Sequence, residues 1–270
     1  MRFALIDQQV IEAAPGLKAV CPGCLQPVIA KCGTQKIHHW AHASNKNCDN
    51  WWEPETAWHR AWKNNYPDSW QEKVHHDEQT GKKHIADIRT TDNLVIEFQH
   101  SPLEPAEQDA REQFYKNMIW VVDGGRLKTN FPRFLKGRKD FAPIKEGQYR
   151  VDIYPETFPS GWHSRAVPVI FDFSSDSTTH DPLGLTQPLY CLFPHHIGRY
   201  GLLAEFSRQT FINTTSNGEW LRRTSQLLAK RKQEKELWDQ LRKKEQQYRD
   251  NMLFQRFTAA VRQQNNGKRS

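Results

Sequence analysis

The order of apolar and polar positions predicts a chain of short strands interrupted by a few helices. Residues 3–6 and Val10-Ile11 are apolar runs parted by Asp7-Gln8-Gln9, the pattern of a small hairpin, and Val28-Ile29-Ala30-Lys31 predicts a further strand. Residues 51–65 hold no glycine, follow a capping Asp49-Asn50 and stop at Tyr66-Pro67, which predicts a helix. Residues 70–75 predict a strand containing Glu72, and 78–82 a turn. Ile85-Ala86-Asp87-Ile88 and Leu94-Val95-Ile96-Glu97-Phe98 are then β-rich runs joined by Thr90-Thr91-Asp92-Asn93, a hairpin pattern. Ser101-Pro102-Leu103-Glu104 predicts a boxed helix start with the helix running to about Met118. Ile119-Trp120-Val121-Val122 follows as a buried strand, giving a right-handed crossover to a parallel neighbour.

The second half is less regular. Residues 126–145 are basic, interleave Phe131 and Phe134, and are broken by Pro132, Gly137 and Pro143. Residues 149–153, 167–173 and 188–194 predict strands of a small module or of an appendage to the preceding sheet, with Cys191 in a core. Residues 218–264 predict a long amphipathic helix, a coiled-coil hairpin, a partner-binding arm or a basic DNA-contacting helix, because the apolar spacing is only partly heptad-like. The boundaries expected are 1–50, 51–125, 126–217, 218–264 and a disordered tail at 265–270.

Composition narrows the class. A net charge of +7 favours a polyanionic partner, and DNA is the one expected. No run of about 18 apolar residues occurs, and acid at Asp7 comes too early for a signal peptide, so a cytoplasmic protein with no membrane partner is expected. Three of five cysteines fall between Cys21 and Cys32, which suits a reducing compartment and metal binding better than a disulfide framework.

Two clusters carry chemistry. Cys21-Pro22-Gly23-Cys24, His38-His39-Trp40-Ala41-His42 and Cys48 offer the thiolate and imidazole donors of tetrahedral Zn²⁺. Cys21, Cys24 and His42 are expected as ligands, with Cys48 or His39 the fourth, and Cys32 as a surface or core residue. A redox CxxC pair is the alternative, although no βαβ pattern surrounds it. With all positions filled by protein, the zinc is structural. In the second cluster, a turn centred on Asp92 sets Asp87 opposite Glu97, with Gln99 on the same face. Like charges directly opposite are destabilising unless a cation lies between them, which points to a bound metal ion. Glu55, His59 and Lys63 stand four apart on the predicted helix, either as a solvated charge ladder or as a stripe aimed at those acids. Arg111 and Tyr115 share a face of the following helix.

CPGC, Gly33, HHWAH, the helix bearing Glu, His and Lys, HIADI, IEFQHS, Arg111, Tyr115 and IWVVDG together resemble CoiA-like competence nucleases of the PD-(D/E)XK superfamily, over roughly residues 21–125. The resemblance implies an α/β, restriction-endonuclease-like αβββαβ core with an N-terminal zinc module, an accessory β segment and a C-terminal long helix. It implies a phosphodiesterase using Mg²⁺ or Mn²⁺ on Asp87 and Glu97, with Glu55 as a further acid and Glu72 less secure. Gln99 stands where that superfamily usually has Lys, so the positive charge must come from Lys63, His59 or Arg111. The expected activity is DNA hydrolysis in uptake and recombination, repair or defence, with Arg111, Tyr115, Arg126 and Lys128 contacting nucleic acid and the C-terminal helix available to a protein partner. The alternative is a non-catalytic, zinc-containing DNA-binding adaptor.

Overall fold

The computed structural model describes residues 1–44, 48, 51, 55–76, 81, 83–153, 156–174 and 188–266, with side chains to 256. The expected cap at Asp49-Asn50, most of the turn at 78–82 and the last four residues of the expected tail lie outside them.

The N-terminal strands β1 (Phe3–Ile6), β2 (Gln9–Glu12), β3 (Lys18–Val20), β4 (Pro27–Lys31) and β5 (His39–His42) form one antiparallel sheet in the order β2-β1-β3-β4-β5. Asp7 and Gln8 both take positive φ, 48° and 67°, the backbone twist that a two-residue hairpin turn needs. Met1, Ala4, Ala13, Ala19, Cys21, Val28 and Trp40 make the module's small core.

The second sheet is built from β6 (Gln71–His76), β7 (Lys83–Arg89), β8 (Val95–Gln99), β9 (Met118–Asp123), β10 (Ala142–Lys145), β11 (Gln148–Asp152), β12 (Val169–Asp172), β13 (Pro188–Leu192) and β14 (Tyr200–Ser207). Their order is β10-β11-β14-β13-β12-β9-β8-β7-β6. The helices are α1 (Ala57–Lys63), α2 (Pro105–Tyr115), α3 (Asn130–Arg138), α4 (Arg208–Ser216) and α5 (Glu219–Asn266). Core residues from α2 and α3, Tyr115, Phe131 and Phe134, pack in one cluster with Val95, Trp120 and Val122. Trp62 of α1, Phe211 of α4 and Trp220 of α5 pack in another with Ile96, Phe98, Ile119 and Val121. Neighbours on β8 and β9 thus feed opposite clusters, as expected of strands covered on both faces, and every residue of both strands is buried.

Several sequence expectations change. The first helix is shorter than 51–65: Thr56 caps it, accepting from His59 N–H, so Glu55 lies before the helix and not on its stripe. In Ser101-Pro102-Leu103-Glu104-Pro105 the second proline takes the first helical position, so α2 begins later than the boxed start at Ser101 and stops at Tyr115. Gln99 Nε2 donates to the Ser101 carbonyl at 3.0 Å, which holds the residues after β8 out of the helix. The basic stretch after β9 contains α3, with Phe131 and Phe134 as its buried face. β8 and β9 are parallel, as expected, and β12 pairs in parallel with β9. The strands after residue 126 therefore extend the same sheet. α5 is one helix and not a hairpin, and it runs past 264 to Asn266. No helix among the described residues is long and apolar enough to cross a membrane.

Candidate functional site

The Cys21–Cys24 turn follows β3, His42 ends β5, and Cys48 lies just beyond it. Their donor atoms all fall within 4.8 Å of one another. Cys21 Sγ and Cys48 Sγ are 3.4 Å apart, and Cys24 Sγ and His42 Nε2 3.3 Å. The three cysteines are free thiols, and the four donors lie close enough to share one tetrahedral ion, so the set fits Zn²⁺. Burial pushes the Cys21 and Cys48 thiols up and His42 down. The imidazole is thus in its ligating form, while thiolates here need a cation beside them. His39 is excluded: it sits at the start of β5, with Nδ1 against the Ile37 carbonyl at 2.9 Å. Cys32 also lies outside the set.

The acids of β7 and β8 occupy a fork in the sheet. The register is the expected one, Ile88↔Ile96 and Arg89↔Val95, which sets Asp87 beside Glu97. Beyond Ile88 the ladder stops and carboxylates replace carbonyls: Phe98 N–H donates to Asp87 Oδ2 at 3.0 Å, and Asp87 N–H to Glu97 Oε1 at 3.2 Å. Asp87 is taken by α1 and Glu97 by α2.

On the α1 side, His59 Nε2 is 2.8 Å from Asp87 Oδ2. Lys63 Nζ lies 2.7 Å from Glu72 Oε1, 3.2 Å from Glu55 Oε1 and 3.9 Å from Asp87 Oδ1. Lys63 is only 2% exposed. Burial alone would lower its pKa, but Glu72, Asp87 and Glu55 outweigh it and hold the ammonium charged. Burial likewise works to raise Glu72, yet Lys63 brings that carboxyl down to about 2. Asp87 is lowered against burial by His59 and Lys63. Arg60 grips Glu55 through Nε at 2.9 Å and Nη2 at 2.5 Å, and Glu55 Oε1 in turn meets Lys63. The position of α1 is set by Asp172 on β12, whose Oδ2 accepts from the indoles of Trp58 and Trp62, each at 2.9 Å. Arg208 completes that buried carboxylate at 2.8 Å.

On the α2 side, Arg111 Nη1 meets Glu97 Oε2 at 3.1 Å, and its Nη2 meets Glu107 at 2.5 Å. Arg111 is thus buried in ion pairs, and Tyr115 is buried against Trp51, His75 and Phe114. The expectation that these two contact nucleic acid gives way to positioning and packing. Arg126 and Lys128 are exposed after β9. Gln99 is buried on the Glu97 side of β8.

Sequence reasoning missed Arg60, five residues from Glu55 and off the helical stripe. It also missed the buried Asp172, hidden in the apolar run Val169-Ile170-Phe171-Asp172, and the pair His100 Nδ1 to Asp123 Oδ2 at 2.7 Å. Only the tertiary fold brings these partners together.

Residues 8–50 match the family model described as Competence protein CoiA, N-terminal domain, a span that contains all four Cys/His donors. That N-terminal segment is CoiA-like. No curated protein and no solved structure matches the chain.

Proposed function

We propose that the protein is a Mg²⁺- or Mn²⁺-dependent deoxyribonuclease with a PD-(D/E)XK-type core and a structural zinc module, acting in the cytoplasm on DNA in uptake and recombination, repair or defence. The observation that carries the reading is the fork at Asp87 and Glu97, flanked by a buried lysine held charged. The order α1, β6, β7, β8, α2, β9 is that of the αβββαβ core the resemblance implies.

The donors suit a hard cation. Among the described residues Asp87 Oδ1 accepts no hydrogen bond, its nearest cation being Lys63 at 3.9 Å, and Asp87 is 18% exposed in its side chain, more open than Glu55, Glu72 or Glu97. When bound, the divalent ion supplies Lewis-acid stabilisation of phosphate oxygens and an acidified water. The chain's own groups do the rest. Lys63 contributes the fixed positive charge that Gln99 cannot, and three acids hold it without motion. His59 Nε2 fixes Asp87 Oδ2, leaving Oδ1 for ligation, and Arg111 fixes Glu97.

A second reading, a zinc-containing DNA-binding adaptor without catalysis, is favoured by one observation: Arg111 pairs with Glu97 at 3.1 Å and Lys63 stands 3.9 Å from Asp87, so a protein cation answers each acid. Cleavage of plasmid and single-stranded DNA with Mg²⁺ or Mn²⁺ separates the two. The nuclease cleaves, and Asp87→Asn or Glu97→Gln lowers the rate by about 10³-fold or more with DNA binding retained. A wild type that binds DNA and cleaves nothing supports the adaptor.

A further inference from the structure

The N-terminal sheet reaches into the buried ion cluster. Backbone N–H groups of Arg2 and Phe3 donate to Glu72 Oε1 and Oε2 at 2.7 and 3.0 Å, and Glu72 Oε1 is the oxygen that holds Lys63 at 2.7 Å. Glu72 makes these contacts with φ of 49° inside a strand, a left-handed conformation that a side-chain-bearing residue keeps only when its surroundings impose it. The Arg2 guanidinium adds bonds to Asn64 Oδ1 at 2.7 Å and Gln71 Oε1 at 2.9 Å, clasping the end of α1 to the start of β6.

The metal-binding turn touches the same place from the other side. A Cβ on Gly23 would meet Ile85 Cδ1 at 3.2 Å and Cys48 Sγ at 3.5 Å, so the CPGC turn lies directly on β7, two residues from Asp87. Lys83 on β7 donates through Nζ to the Gly23 carbonyl. Val20, the residue before Cys21, pairs with Leu5 of β1, so the turn that binds metal also anchors the strand that holds Glu72.

We propose that the CoiA-like module is the positioning half of the buried site: Glu72, held by the Arg2 and Phe3 amides at the start of β1, is a positioning residue for Lys63, and metal in the Cys/His set determines whether Lys63 stands beside Asp87. The consequence for catalysis rests on the nuclease reading above; the mechanical coupling does not. A module that merely gripped DNA would have no use for backbone donors aimed at a buried carboxylate.

The test uses the full chain in three forms: zinc-loaded, stripped by a chelator, and loaded Glu72→Gln. Reductive methylation read by peptide mass spectrometry reports access to Lys63, and hydrogen exchange reports residues 71–76 and 83–89. Lys63 is expected to resist labelling in the loaded wild type and to label about 10-fold faster in the other two, with exchange quickening in β6 and β7 but not in β13 and β14. With DNA and Mg²⁺, kcat is expected to fall by about 10²-fold in both, with KM within about twofold. Equal protection of Lys63 in all three forms overturns the proposal. So does loss of protection throughout the sheet, which makes the module a general stabiliser, or a raised KM at unchanged kcat, which makes it a DNA grip. If the wild type cleaves nothing, the nuclease reading falls while labelling and exchange still decide the coupling.

Discussion

Glu72 concentrates the conflict between burial and charge in this molecule. Its side chain is 7% exposed and its carboxyl is brought from 4.5 to about 2. A carboxylate with a depressed pKa contributes stability above its unfolded value, and that contribution is lost as pH falls toward the folded one. The window is therefore about pH 4.5 down to 2, and the shift corresponds to about 3 kcal/mol. Urea unfolding of wild type and Glu72→Gln across this range should show the variant weaker by that amount at neutral pH, with the gap closing as pH drops. A gap that stays constant from pH 6 to pH 2.5 contradicts the ion-pair account. At this scale His59, Lys63, Asp87 and Glu97 were legible, because helical and strand periodicity place side chains without long-range information. The roles of Glu72 and Arg60 were not. One depends on a left-handed backbone and on amides some 70 residues away in sequence, the other on a residue that precedes its helix.

At the scale of elements, the five-stranded module is held by little apolar material. Three of its seven core residues are alanines, and Trp40 is the only large ring among them. Trp40 is fully buried, and its indole donates to the Ile11 carbonyl at 3.0 Å. Trp40→Ala should cost about 3–5 kcal/mol, and since metal binding here is coupled to folding, zinc affinity should fall by about 10² to 10³-fold in competition with a chromogenic chelator. An affinity within about threefold of wild type would mean that the cysteine loops bind zinc without the sheet. The ligands themselves were readable from spacing, and Cys48 over His39 was left open because both lie within reach of the CxxC turn along the chain. β3 and β5 escaped notice for a related reason. Each is short and buries a single side chain, too brief a pattern to show alternation.

For the whole molecule, the pairings β1–β2, β7–β8 and β8–β9 could be found from apolar runs and the turns or helix between them, but β14 and the pairing of β12 with β9 could not, since Val169 meets Trp120 only through a long connection. Charge is the property that the sequence does distribute visibly. Residues 243–270 hold seven Lys or Arg and two Asp or Glu, so they carry most of the net +7, leaving the remainder nearly neutral. Five of these seven basic residues fall within the bounds of α5, which packs through Trp220 and meets the body again where Trp238 lies against Gly198. From 240 to 256 every side chain is exposed. A chain ending at Arg242 should therefore unfold within about 0.5 kcal/mol of the full protein, because no buried side chain among the described residues is removed. If DNA is the partner, its affinity at low salt should fall by at least about 10²-fold and the slope of log K against log salt should flatten by about 4, as lost lysines and arginines release fewer counterions. An unchanged slope would move the DNA-binding surface to the body, where Arg126 and Lys128 stand exposed. The outer helix, with Leu253 and Phe254 also exposed, would then be better explained as a surface for a protein partner.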